Sequence, residues 1–388
     1  MDKITFCIPS KSNLRYLKTC IPSIRNNAYR NDHEIIIFVD SDEDGTVEWL
    51  EENAELYGVK YYINPDLGNS LYGIGRAYDY CIDIAETDIV MVFHADMILG
   101  KHADKKAYDL LETKTAVCST RVEPPLHPNN GEKIIREYGM WPEEFQSDAF
   151  DRFVETQLEE PKCSEGIFAP WMVYKDEFLS LGGHDPILKS CREDSDVFNR
   201  MMLAGFTFKQ PWNSLVYHFT GRGAGSFSGD KERHESWQQE MTNSTREFIR
   251  KWGHMVKHDE YMKPIIPPKY DITIYAYNCT DTLLKELEPW CSSIYSDADY
   301  HSYIEEEQPN TDYDLSARCF DIMEGDEPSG IHIAFDANMI NFTDLSYIHE
   351  MSSIIEMQEE VGPGTFKLGN LKITIHDLAR YEMDLIHI

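Results

Sequence analysis

Three short runs within the first hundred residues, nearly without polar interruption, constrain the fold more than any other feature of this chain. They are Ile4 to Ile8, Glu34 to Val39 and Ile89 to Phe93, of which Ile35-Ile36-Ile37-Phe38-Val39 is wholly apolar. A strand with one wet face alternates polar and apolar side chains, so a strand that does not alternate is buried on both faces, as in a parallel sheet covered by helices. Between these runs Leu14, Leu17, Ile21 and Ile24, and then Ala77, Tyr78, Cys81, Ile82 and Ala85, recur at helical spacing. Strand, helix, strand in this order predicts right-handed βαβ units. Ligands of such sheets sit at the carboxyl ends of the strands.

Further along, Pro124 to Pro161 reads as loops with short helices inserted over that edge, and regular patterning returns at Phe168 to Tyr174 and after Asp194. The run GRGAGSFSG, residues 221 to 229, is too rich in glycine for helix or strand and predicts a mobile loop. Glu232 to Trp252 is helix-like. The prolines of KPIIPPK, Lys263 to Lys269, mark a linker. From Lys269 to the end there are 6 Lys and Arg against 24 Asp and Glu, a difference of −18 out of the whole chain's −32. There the apolar runs Ile272 to Tyr277, Ile331 to Phe335 and Leu371 to Ile375 alternate with helix-like stretches such as Leu345 to Glu360. The expected organisation is a catalytic α/β domain over residues 1–222, a loop, helix and Pro-rich linker over 223–268, and a small acidic α/β domain over 269–388.

A net charge of −32 argues against nucleic acid as a partner, because phosphate neutralisation needs clustered Lys and Arg. Nine scattered cysteines without a CxxC pair read as reduced thiols, and the start of the chain lacks a long apolar signal region, so the expected compartment is cytoplasmic. No run approaches the length of a membrane span. The N-x-[ST] matches at Asn243, Asn278 and Asn341 are read as chance.

The chemistry-bearing residues fall at the predicted strand ends. IVMVFHADM ends its strand on His94-Ala95-Asp96; residues two apart project to one side, so both can reach one cation, and an Asp capping the next turn is the alternative. Pro9-Ser10 and Asp40-Ser41-Asp42 end the first two strands, where a carboxylate can accept from a base N–H or a ribose hydroxyl, or form a plain Asp/Gly turn. GIGRAY places glycines and Arg76 ahead of a helix, a weak phosphate pattern in which Arg76 is equally a solvated helix residue. After the Gly182-Gly183 turn, Glu193-Asp194 begins an amphipathic helix whose N-terminus favours an ionised carboxylate, as a general base requires. Helix capping by Asp194 or Ser195 suits the same residues. His218 ends a strand beside the glycine-rich loop, where a purely structural histidine is the alternative.

Taken in order, IPSKSNLRYLKTCIPSI, EIIIFVDSDEDGT, GIGRAYDYCIDIAETDIVMVFHADM, LGGHDPILKSCREDSDVFNRMMLAG and VYHF resemble the hallmarks of family 2 glycosyltransferases with the GT-A fold, over about residues 1 to 222. The resemblance implies a mixed, mostly parallel sheet flanked by helices and the transfer of a sugar from a nucleotide diphosphate donor to an acceptor hydroxyl, with inversion. It implies that Pro9, Ser10, Asp40, Asp42 and Arg76 contact the nucleotide and that His94-Ala95-Asp96 is the DxD site. Asp96 and His218, with His94, would hold a divalent metal, and Asp194, beside Glu193, would be the catalytic base. Gly182 and Gly183 would form the donor and acceptor floor, Trp171 a sugar-stacking platform, and Arg222 a loop contact to the phosphates. His94 departs from the pattern, which usually has Asp; imidazole among oxygen ligands suits manganese better than magnesium. Two rival readings remain: a GT-A protein that binds sugar nucleotides without turnover, and a sugar nucleotidyltransferase. The second would need a Gly-rich phosphate loop after the first strand, where IPSKSN supplies only Lys11.

Overall fold

The computed structural model describes residues 1–128, 131–157, 162–221, 231–325, 329–358 and 361–388. It divides into two compact units: residues 1–240 with 258–264 and 387–388, and residues 241–257 with 265–386. The division therefore falls at Glu240, inside a helix, rather than at 222 and 268. The reason lies in that helix: Ile249 is part of the second hydrophobic core, and Arg246 and Arg250 pair with Glu307 and Glu288 of the acidic unit. Most of the predicted glycine-rich loop, including Arg222, lies outside the described residues.

The first unit begins β1 (Thr5–Lys11), α1 (Leu14–Asn27), β2 (Glu34–Ser41), α2 (Thr46–Tyr57), β3 (Lys60–Ile63), α3 (Ile74–Asp83) and β4 (Ile89–Val92). It continues with β5 (Met97–Leu99), α4 (Ala103–Tyr108), β6 (Thr115–Cys118), β7 (Thr120–Glu123), β8 (Ile134–Ile135), α5 (Ser147–Thr156) and β9 (Cys163–Ser164). Then come β10 (Trp171–Tyr174), α6 (Lys175–Leu179), α7 (Glu193–Leu203), β11 (Thr207–Pro211), β12 (Leu215–His218) and α8 (Lys231–Trp252), which belongs to this unit through Glu240. The large sheet has the order β3-β2-β1-β4-β10-β6-β11-β9. Its first four strands are parallel, and β10 runs antiparallel between β4 and β6. As the unbroken apolar runs require, Ile35, Ile36, Ile37, Val39, Val90 and Met91 are fully buried.

A second sheet, β5-β12-β7-β8, stands beside the first. It is backed by a separate aromatic core in which Tyr138, Phe150, Tyr217 and Phe219 are buried, each contributing about 1.5–3 kcal/mol by burial. The Tyr217 hydroxyl donates to the Gly139 carbonyl at 2.6 Å. Through β5, which follows directly on β4, this small sheet continues from the carboxyl edge of the large one, and that position matters for the site.

The acidic unit contains β13 (Ile272–Tyr277), α9 (Asp281–Leu287), β14 (Ser293–Ser296), α10 (Tyr300–Glu307), β15 (Cys319–Asp321), β16 (Ile331–Asp336), α11 (Phe342–His349), α12 (Met351–Glu356), β17 (Gly364–Leu368) and β18 (Leu371–Ile375). Its sheet order, β15-β14-β13-β16-β18-β17, repeats that of the first five strands of the large sheet, including an antiparallel fifth strand. The end of β16 consequently holds the topological place that the end of β4, which leads into Phe93-His94-Ala95-Asp96, holds in the first unit. Among the described residues the acidic unit has no counterpart of the β5-β12-β7-β8 sheet, and Asp336 already accepts from the Asn278 side chain and the Asn338 N–H.

Candidate active site

β1, β2 and β4 are parallel and end side by side, so Pro9, Asp40 and His94 arrive at one edge. The Phe93 N–H still donates to the Cys7 carbonyl, which carries the chain in register up to His94. There the chain leaves the large sheet. β5 pairs antiparallel with β12, with Met97 opposite His218, and the Phe219 N–H donates to the Asp96 carbonyl at 3.1 Å. Asp96 Oδ1 thus lies 3.4 Å from His218 Nε2 and 4.0 Å from His94 Nδ1. One ligand atom from each of the three falls within 4.8 Å of the others. Two imidazoles and a carboxylate are a fitting donor set for a divalent transition ion.

The electrostatics leave His94 and Asp96 ready to ligate, whereas His218 holds a proton that a cation must displace. Burial pushes the His94 imidazole down to about 4, which leaves it neutral and free to ligate at neutral pH. Burial opposes the charge on Asp96, yet the adjacent His218 holds its carboxyl below the ordinary range. Burial likewise works against His218, but Asp96 and Glu123 hold the imidazole up to about 9. Glu123 Oε1 is 2.8 Å from His218 Nδ1, and Lys133 Nζ is 2.9 Å from Glu123 Oε2.

Pro9, Asp40, Tyr78, His94, Asp96 and His218 line a cavity of about 250 Å³. Its wall is closed by Gly73-Ile74, Lys189-Ser190 and, from α8, Trp237 and Glu240. The Ile74 N–H donates to the Lys189 carbonyl at 3.0 Å, and Gly73 is required here: at φ +95 a Cβ would lie 3.0 Å from that same oxygen. The Ser190 hydroxyl donates to Glu240 at 2.7 Å.

The other sequence candidates are placed as follows. Asp40 lines the cavity, but its carboxylate accepts from the Tyr72 N–H, the Gly73 N–H and the Asn64 amide, so it also shapes the wall. Asp42 accepts from the Thr46 and Val47 N–H groups and caps α2, away from the described cavity lining. Ser10 Oγ is fully buried with no hydrogen-bond partner among the described residues. Arg76 is exposed, its guanidinium 4.0 Å above the Tyr72 ring. Trp171 is corrected: at 1% exposure, packed edge-on to Phe198 and against Phe178, it is a core residue with no face for a sugar. The indole at the cavity is Trp237 instead.

α7 starts at Glu193, held against α3. A Cβ on Gly75 would lie 2.8 Å from His184 Cβ and 3.4 Å from Glu193 Cβ. Asp79 binds the His184 N–H at 2.7 Å and Nδ1 at 2.6 Å, which fixes the turn containing Gly182 and Gly183. Asp194 is exposed at the helix start and accepts from the Ser195 N–H. Its charge is felt at His94 and that of Glu193 at Tyr78, so the carboxylate pair and the cation cluster share one electrostatic neighbourhood. Glu193 Oε2 is buried without a hydrogen-bond partner among the described residues, and burial, reinforced by Asp194, pushes the carboxyl up to about 8.

Residues 5–173 match the sequence model of glycosyl transferase family 2. This segment belongs to that family. The chain therefore contains a family 2 glycosyl transferase segment, which runs from β1 into β10. Similar solved structures include S. aureus TarS 1-349 in complex with UDP, at 10% identity and a TM-score of 0.42, over 64% of this chain and 72% of that one. GalNAc-T7 with UDP, GalNAc and Mn2+ is similar at 13% identity and a TM-score of 0.43, over 64% of this chain and 50% of that one. No curated protein matches the sequence. Among the described residues no helix is long and apolar enough to cross a membrane.

Proposed function

We propose that this chain is a glycosyltransferase that takes its sugar from a nucleotide-sugar donor with inversion of the anomeric centre, with Asp194 as general base and with His94, Asp96 and His218 as the residues that would hold a divalent cation for the donor diphosphate. The convergence of those three side chains on the cavity edge where β1, β2 and β4 end carries the reading. Asp194 stands exposed at the start of α7, where its carboxylate accepts from the Ser195 N–H. It takes the proton of the acceptor hydroxyl as that oxygen bonds to the anomeric carbon. The bond from that carbon to the diphosphate breaks, and its electron pair leaves with the nucleoside diphosphate. A divalent cation supplies neutralisation of the charge that grows on the departing diphosphate. Manganese suits the two-imidazole, one-carboxylate set better than magnesium does. Trp237 supports a stacked sugar ring in the role sequence reasoning gave to Trp171, and the nine free thiols fit a reducing compartment.

The test is Asp194→Asn, whose amide keeps the shape and cannot accept the proton. Turnover falls by about a hundred- to ten-thousand-fold, with donor affinity nearly unchanged. Near-normal turnover would remove Asp194 from the role.

A further inference from the structure

Glu123 lies on neither the cavity lining nor the cation cluster, yet its carboxylate is 2% exposed and fully engaged. One oxygen meets His218 Nδ1 at 2.8 Å, and the other meets Lys133 Nζ at 2.9 Å. The order β5-β12-β7-β8 makes this a line across neighbouring strands: Asp96 just before β5, His218 ending β12, Glu123 ending β7 and Lys133 just before β8. We infer that Glu123 is a positioning residue, which fixes His218 in the tautomer and ring orientation that present Nε2 to a divalent cation. The inference rests on the cation reading of the cluster.

An imidazole can offer Nε2 as a ligand only when that nitrogen carries no proton. A carboxylate accepting from Nδ1–H fixes this tautomer and raises the basicity of the free nitrogen. Here Nε2 points to Asp96, at 3.4 Å. Lys133 gives the second oxygen of Glu123 a partner, and Arg121 Nε lies 3.4 Å from Oε1, so the carboxylate stays turned to His218 rather than to the cation. Tyr217 pairs with Val122, and both are buried in the aromatic core, so the two side chains are carried by strands that cannot slide.

The test is Glu123→Gln. Lys133 is a donor, so the glutamine turns its oxygen to Lys133 and its NH2 to Nδ1, which places the imidazole proton on Nε2. Mn2+ affinity, measured by electron paramagnetic resonance titration, falls by about 10- to 100-fold. Glu123→Gln combined with Lys133→Met removes the donor, lets the amide oxygen return to Nδ1–H, and recovers part of the affinity. A merely structural pair would give no such rescue. Independently of any variant, the wild-type protein loaded with diamagnetic Zn2+ shows His218 protonated at Nδ1 in a long-range 1H–15N correlation spectrum. Protonation at Nε2 there, or unchanged Mn2+ affinity in Glu123→Gln, overturns the inference. His218→Ala separates the two levels: if it binds Mn2+ as the wild type does, the cation reading itself fails.

Discussion

Met97 faces His218 across the antiparallel pair of β5 and β12, and this single register brings Asp96 Oδ1 to 3.4 Å from His218 Nε2. The three candidate cation ligands are thereby drawn from chain at the ends of strands of two sheets. His94, from the last turn of chain before β5, completes it. Replacing His94 by Asp exchanges a nitrogen donor for an oxygen donor at the same place. His94→Asp should keep metal-stimulated transfer and move its preference from manganese towards magnesium, a harder ion. Transfer rates titrated against both metals check this, and an unaltered preference would show that His94 does not touch the cation.

Glu193 makes stability depend on pH in a definite direction. Its carboxyl is held up to about 8, against an ordinary value of 4.5, so the native state binds the proton more tightly than the unfolded chain. The contribution is whole below pH 4.5 and is lost as pH rises through about 8. Glu193→Gln, which cannot ionise, should flatten the fall of Tm between pH 5 and 8. Parallel Tm curves for wild type and variant would show that the buried oxygen is solvated.

Gly183, at φ +77, has no room for a side chain: a Cβ would lie 2.6 Å from Asp79 Oδ2. Gly183→Ala should cost about 1–3 kcal/mol and lower kcat, because the same Asp79 holds His184, and Gly75 packs against both His184 and Glu193. Gly205, at φ +84 with nothing within 4 Å, is the control. Gly205→Ala should lower Tm and leave kcat intact; equal kcat in the two variants would contradict the coupling of this turn to the site.

How far such a site can be read from sequence depends on whether its residues are set by local pattern or by pairing. β1, β2 and β4 were legible because buried parallel strands leave unbroken apolar runs, and the strand ends then located Pro9, Asp40 and His94. β3, whose Lys60-Tyr61-Tyr62-Ile63 is half-exposed at the sheet edge, leaves no such run. For Asp42 the two sequence readings were equally open, and its hydrogen bonds to Thr46 and Val47 are those of a helix cap. Trp171 sits in WMVY, whose lack of alternation already describes a core strand, whereas nothing in KERHESWQQE marks Trp237 as facing a cavity. Glu123 is invisible for a different reason: its partner His218 lies on a neighbouring strand whose register no local signal specifies.

The central claim is that the donor diphosphate is held through a divalent cation at His94, Asp96 and His218. The most direct measurement is calorimetric titration of a panel of nucleoside diphosphates, with and without Mn2+, into the wild-type protein and Asp96→Ala. At least one nucleotide should bind the wild type tightly only when Mn2+ is present, and Asp96→Ala should lose this metal-dependent binding while remaining folded. Nucleotide binding of equal strength in both proteins, with or without Mn2+, would contradict it.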